Sequence, residues 1–325
     1  MATHAICDHC KTFVAIGDTK ELGGVRYCGV CVGALFARCV GCGRLVSKAK
    51  STRVDDSGHY ACRDCRKQFA VKGYSYKPSL RFHAGKDEDL TAKTAFFGVE
   101  NEVIASDIDT RNTAADALFS QEFLYAKRDG SITDNGIEFV SHPFTLQWAK
   151  ENAKAFSPML TPPGFSAGKW QASKTNKCGV HVHVSRSTFD NIDHQARFAW
   201  FWSMDQRWTL KISGRNDAGA LRQWAGFESS YFDASENITR PTTRYRACNA
   251  TNRNTLEVRI FNGRLGSHNN LLRCIEVVAA AVEYTRQVRD VRRMDIEDFA
   301  MFVSDRRDTY RHLAAWMIRT RQIAA

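Results

Sequence analysis

The sequence contains no apolar run of the roughly 18 residues that a membrane-spanning helix requires. Its longest candidate, Val277 to Val282, sits inside a charged helical pattern. Met1 to Ile6 has neither the basic nor the apolar region of a secretory signal, so a cytoplasmic protein with no membrane partner is expected. Proline is scarce, at six residues in 325, and 43% hydrophobic against 25% charged residues excludes a disordered or collagen-like chain. Also missing are both glycine-rich phosphate cradles, G-x-x-x-x-G-K-[ST] and G-x-G-x-x-G. A nucleotide would therefore have to be held through metal and arginine.

Base is in excess, with a formal net charge of +11. Such a charge attracts nucleic acid and anionic small molecules alike without choosing between them. Much of it lies in the last 75 residues, where Arg286, Arg289, Arg292, Arg293, Arg306, Arg307, Arg311, Arg319 and Arg321 alternate with acids at helical spacing. That is the pattern of solvated helix faces, so nucleic acid is a compatible partner with no compelling motif.

Cysteine is concentrated at the front. Eight of the eleven form four CxxC pairs: Cys7 and Cys10, Cys28 and Cys31, Cys39 and Cys42, Cys62 and Cys65. Two intervening residues let both thiolates of a turn reach one ion, and the 17 and 19 residues between the first and second pair of each set suit a hairpin that brings the second turn opposite. Two structural zinc sites are expected, each closed by four sulfurs and so without an open position for chemistry. Tyr27 and Tyr60 stand just before the second pair of each set, which marks an internal repeat of the double zinc-ribbon or LIM-like kind. Complete ligand sets within each repeat favour sequential pairing over a cross-braced one. Lys48, Lys50, Arg53, Arg63, Arg66 and Lys67 lie nearby, and Cys178, Cys248 and Cys274 read as small apolar side chains.

Residues 1–70 are thus expected to form the zinc module. Residues 71–93 lose periodicity and gather Gly, Ser, Pro, Lys and Asp, the composition of a linker. A second domain is expected over 94–325. Several of its segments alternate apolar and ionisable residues, which puts the two kinds on opposite faces of a strand. Ala95 to Ile104 points Glu100 and Glu102 one way, Gly136 to Val140 adds Glu138 after a turn at Asp129 to Ser131, Gly179 to Ser185 projects His181 and His183, and Thr255 to Phe261 projects Glu257 and Arg259. Pairing these strands would gather the ionisable residues on one sheet face. Carboxylates with histidine suit magnesium or manganese, and a neighbouring arginine suits phosphate or carboxylate. Solvent-exposed half-strands are the competing interpretation. Helices are expected over Thr145 to Phe156, Asp190 to Ile212, Asn270 to Val288 and Asp308 to Ile323, with Trp200, Trp202 and Trp208 in the core.

In this order, Glu100-Asn101-Glu102, Asp129-Gly130-Ser131 with Gly136-Ile137-Glu138, Gly179-Val180-His181-Val182-His183 and Leu256-Glu257-Val258-Arg259 resemble the amidoligase family, which is related to glutamine synthetase and glutamate-cysteine ligase. The resemblance covers about Thr91 to Ala325 and leaves the cysteine segment outside. It implies an α+β fold, a mostly antiparallel sheet with helices on one face, and an ATP- and magnesium-dependent carboxylate-amine ligase. By similarity Glu100, Glu102, Glu138, His181 and Glu257 would be magnesium ligands, with Glu138, Glu257 and Arg259 acting in catalysis. His183 and Ser185 would face the nucleotide, and Arg246, Asn249 and Arg253 phosphate or substrate. The chain departs from the larger ligases in its length, in lacking the N-terminal domain of glutamine synthetase, and in the loop Ser157 to Asn176. Its carboxylate and amine substrates therefore extend to peptides or proteins, which the zinc module would recruit. The resemblance also points to a bacterial or phage-infected host cytosol. Two other functions fit the same residues: a zinc-dependent nucleic-acid or protein binder with an inactive ligase-like domain, and a phosphotransfer reaction without amide formation.

Overall fold

The computed structural model describes residues 3–164, 178–215, 218–263 and 265–324. Backbone contacts divide the chain into two compact units, residues 1–72 with 77–79, and residues 73–76 with 80–325.

The first unit is a series of short antiparallel hairpins. β1 (His4–Ile6) pairs with β2 (Phe13–Ala15), and β3 (Thr19–Leu22) with β4 (Val25–Cys28), which leads into α1 (Gly29–Leu35). β5 (Phe36–Arg38) then pairs with β6 (Leu45–Ser47), and β7 (Thr52–Arg53) with β8 (Tyr60–Ala61), before β9 (Val71–Lys72). The internal repeat holds down to single hydrogen bonds. Lys11 N donates to Cys7 O and Gly43 N to Cys39 O, both at 2.8 Å, while Cys28 N donates to Cys7 Sγ and Cys62 N to Cys39 Sγ. Each turn ends on a left-handed residue, Gly43 in the second repeat and Lys11, at φ 62°, in the first. Glycine at position 41 is also required, since a Cβ there would lie 2.7 Å from the Cys65 Cβ.

The second unit begins within the stretch 71–93. His83 N donates to Pro143 O and Thr145 N to His83 O, so the chain from Leu80 onward is hydrogen-bonded to the larger unit. Its elements run β10 (Phe97–Ile104), α2 (Ile108–Asp116), β11 (Leu124–Lys127), β12 (Gly136–Ser141), α3 (Leu146–Glu151), α4 (Ser157–Leu160) and β13 (Gly179–Ser185). They continue with α5 (Ile192–Met204), α6 (Gln206–Ser213), α7 (Ala218–Trp224), α8 (Tyr231–Thr239), β14 (Cys248–Asn249), β15 (Thr255–Asn262), α9 (His268–Gln287), α10 (Ile296–Ser304) and α11 (Arg311–Arg319). The helix expected over Asp190 to Ile212 is two helices, because Asp205 leaves the helical conformation and its side chain caps the second by accepting from Trp208 N. Trp202 and Trp208 are buried as expected, while Trp200 is half-buried. The latter part of the loop Ser157 to Asn176, from residue 165, lies outside the described residues.

The six strands of this unit are hydrogen-bonded in the order β14-β15-β13-β10-β12-β11, antiparallel throughout. Their register fixes which residues share a face. Val99, Ile137, Phe139, Val180, Val182, Val184, Leu256, Val258 and Ile260 form one face and are fully buried. On that side Asn101 donates to Met159 O of α4, and Ser157 of α4 is 3.0 Å from His268 at the start of α9, so α4 and the head of α9 cover the apolar face. The other face carries the ionisable residues.

Candidate functional site

Two kinds of ligand array stand out, one in each unit. In the first unit the thiols form two groups, Cys7, Cys10, Cys28 and Cys31, and Cys39, Cys42, Cys62 and Cys65, with all sulfurs of a group within 4.8 Å of one another. Sequential pairing is therefore the arrangement adopted. The Sγ atoms of Cys10 and Cys28 are 3.7 Å apart and those of Cys42 and Cys62 4.0 Å. A tetrahedron of zinc–sulfur bonds of about 2.3 Å has edges of about 3.8 Å, nearly twice the sulfur separation of a disulfide. Both groups thus fit a structural zinc. The Cys7 thiol is drawn down to about 6 by the amide of Cys10 chiefly, against burial and with help from the amides of Cys28 and His9. Around Cys39 burial opposes, yet the amides of Cys62, Cys42 and Gly41 prevail and bring it to about 6. Within each group one thiol goes the other way, Cys31 pushed up to about 12 by burial chiefly and Cys65 to about 12 by its neighbour Cys62 and by burial.

In the second unit the ionisable face assembles by register. Glu102 lies directly opposite Glu138, Glu100 opposite His181, and His183 opposite Glu257. Solvated half-strands would leave these residues open. Instead Glu102, Glu138, His181 and Glu257 are 2 to 5% exposed. His181 Nδ1 is 3.2 Å from Glu257 and 3.5 Å from Glu100, and His183 Nε2 is 3.5 Å from Glu100. Three triads have ligand atoms within 4.8 Å: Glu100, Glu138 and His181; Glu100, His183 and Glu257; Glu102, Asp129 and Glu138. Glu100 and Glu138 each belong to two of them.

Charge on this face is unevenly balanced. Lys127 reaches it from β11, with Nζ 3.0 Å from Glu138 and 3.6 Å from Glu100. Arg259 pairs with Glu257. Lys127 and Arg259 thus bring two strong cations against the carboxyls of Glu100, Glu138 and Glu257. Burial works to raise the Glu100 carboxyl, but His183, His181 and Lys127 overcome it and hold it well below the usual range. Glu138 goes the other way, pushed up by burial and by the neighbouring Glu100 charge despite Lys127. Burial raises Glu102 as well. For Glu257, burial is outweighed by His183, Arg259 and His181, and its pKa falls. Two carboxylates held ionised beside two inclined to keep a proton is the signature of packed acids short of counter-charge. Divalent cations can supply that charge through oxygen ligands with one imidazole.

The remaining sequence-derived candidates divide. Asn249 sits beside the cluster, its side chain donating to Glu257, which occupies it in orienting that carboxylate. Ser185 is on the ionisable face, but its hydroxyl accepts from Phe96 N and so ties down the start of β10. Arg246 stands apart, 3.4 Å from the buried Glu228, and Arg253 is exposed in the turn between β14 and β15. Neither has a hydrogen bond or ion pair to the carboxylate cluster among the described residues. Sequence reasoning overlooked two members. Lys127 lies on a strand of four residues whose alternation, Tyr125 and Lys127 against Leu124 and Ala126, was the available signal, and Asp129 entered as a turn residue and part of the resembling motif without a place among the ligands.

No protein-family model matches the chain, and no curated protein matches it.

Proposed function

We propose that the larger unit is an ATP-dependent carboxylate-amine ligase of the amidoligase kind, with the glutamine synthetase-like fold that this implies. The γ-phosphoryl group of ATP passes to a substrate carboxylate oxygen, giving an acyl phosphate and ADP. An amine then attacks the acyl carbon, the carbon–oxygen bond to phosphate breaks, the amine loses a proton, and an amide or isopeptide forms with release of phosphate. One observation carries this function: carboxylate and histidine triads sharing Glu100 and Glu138 on a single buried sheet face.

Magnesium or manganese held by Glu100, Glu102, Glu138, His181 and Glu257, with Asp129 and His183 adjacent, would screen the triphosphate charge that otherwise repels a carboxylate. The chain's own residues do the rest. Arg259 offers its planar guanidinium to an incoming phosphoryl oxygen from a position already fixed by Glu257. Asn249 holds the far oxygen of Glu257, so that carboxylate keeps its orientation when the arginine turns to a phosphate. Lys127 shares its single charge between Glu100 and Glu138 before the site is loaded, which eases the crowding of these acids with Glu102 on adjacent strands. The fully buried valine face behind them resists displacement, so the ligand atoms stay in place. The zinc module would recruit or orient a peptide or protein substrate.

The test is phosphate and ADP release from ATP by the zinc-loaded full chain, with magnesium and pools of carboxylates, amines and peptides. Release that depends on both a carboxylate and an amine is expected, and Glu257→Gln should lower it by about a hundredfold or more. Absence of release under every pool would reject ligase activity and leave a binding role.

A further inference from the structure

A polar cleft lies on the helical side of the larger unit. It is open to solvent on one side, has a volume of about 360 Å³ and is lined by Asn269, Asn270 and Arg273 of α9 and by Arg311, His312, Ala315 and Arg319 of α11. The carboxylate cluster is on the opposite side of the sheet, since α4 and the head of α9 cover the apolar face. No acid lines this cleft.

Its construction favours anions. Arg311, Ala315 and Arg319 recur every four residues and so share one stripe of α11, with the small alanine leaving room between two guanidinium groups. Arg273 comes from the facing helix. Its guanidinium lies over the Trp316 ring, 5.6 Å from the centroid, and its Nε is buried without a hydrogen-bond acceptor. A buried donor on a charged group left without an acceptor is costly, and a turn of the Arg273 side chain toward an anion in the cleft would relieve it. The nearest buried acid, Glu276, is already committed. Its oxygens accept from His312 N at 2.7 Å and Leu313 N at 2.8 Å and meet the His312 ring at 2.7 Å, which locks the start of α11 against α9 and makes the cleft wall rigid. Asn269 and Asn270 also place the positive end of a 20-residue helix at the same spot.

Spacing sets the size of the ligand. Eight residues of helix separate Arg311 from Arg319, a rise of about 12 Å. One phosphate is too small to engage both together with Arg273. We infer that the cleft between α9 and α11 binds a short linear oligophosphate, two or three phosphate groups long, at a site separate from the carboxylate face. The ligand chemistry is shared by free oligophosphates and the backbone of a nucleic-acid strand. A cleft of this size with three arginines matches two or three phosphates in length and charge, which suits the free form.

Calorimetric titration of the zinc-loaded full chain with tripolyphosphate, at low salt and without added magnesium, tests this directly. One tripolyphosphate per chain is expected, and Arg311→Ala and Arg319→Ala, both at exposed positions, should each weaken binding about tenfold while leaving the melting temperature unchanged. Glu257→Gln should bind tripolyphosphate as the parent does, which separates this site from the proposed ligase centre. Equal affinity in the parent and both arginine variants would overturn the inference. So would a single-stranded 20-mer oligonucleotide whose binding the arginine variants abolish while tripolyphosphate fails to bind.

Discussion

The two ligand arrays of this chain gather their atoms within the same 4.8 Å, yet they differ in what remains if no metal is present. Around the first thiol group the packing is slight: among the described residues, Cys7, Cys28 and Cys31 themselves make a core joined by the partly buried Val14, Tyr27 and Leu35. Without an ion tying the sulfurs together, little else holds those hairpins. The carboxylate face is the reverse. Its strands are fixed by register and by a fully buried apolar face, and Lys127 and Arg259 already neutralise part of the acid. Metal in the first unit would be a component of the fold, whereas the sheet of the second unit has a packed face of its own on which to present a site.

Removing zinc breaks this comparison most forcefully. Structural zinc contributes on the order of 10 kcal/mol to such modules. A zinc chelator should abolish amide-exchange protection from Cys7 to Phe69 and preserve it in β10, β13 and β15. Loss in both units, or in neither, would erase the distinction, and metal analysis before chelation should find about two zinc ions per chain.

A smaller effect probes the crowded acids. Burial and the Glu100 charge raise the Glu138 pKa, so the folded protein holds that proton more tightly than the unfolded chain. The stability Glu138 contributes is therefore present at low pH and is lost as pH rises through its folded value. Glu138→Gln keeps a neutral group of the same shape and escapes that loss. Urea unfolding at pH 8 without magnesium should find the variant more stable by about 1 kcal/mol, with the difference shrinking toward pH 4. Glu100 and Glu257, both lowered, have the opposite sign: their contribution is present at neutral pH and disappears as the solution is acidified. A Glu138→Gln protein no more stable than the parent at pH 8 would mean that Lys127 compensates the acid fully.

The smallest effect compares the two cysteine repeats. Gly43 takes the left-handed turn at no steric cost, while Lys11 takes its counterpart with a side chain. Lys11→Gly should raise the zinc-loaded first unit's stability by about 0.5 kcal/mol, read from amide exchange of the knuckle, and Gly43→Lys should lower it.

Much of this was visible in the residues. The CxxC spacing announced both sulfur groups, because a knuckle is a local turn and its ligands are neighbours in sequence. Alternation also exposed β10, β12, β13 and β15, whose lengths of six to eight residues carry enough periods to be distinctive. β11 and β14 escaped at four and two residues, and with β11 went Lys127. Arg253 is of the same residue type as Arg259, but a strand position fixes where a side chain points and a turn does not, while Arg246 is drawn to the buried Glu228 instead. Burial was the least legible feature. Nothing in an alternating strand says that its ionisable side will be as enclosed as its apolar side; that follows from where the connecting segments run.

Titration of the zinc-loaded full chain with Mn2+, followed by electron paramagnetic resonance of the free ion, tests the central claim most directly. More than one Mn2+ should bind per chain. Glu100→Gln, which removes a carboxylate from two triads, should lose more of that binding than Glu102→Gln, which removes one from a single triad. Wild-type protein that binds no Mn2+, or a Glu100→Gln protein that binds it undiminished, would contradict a divalent-cation site on this sheet face.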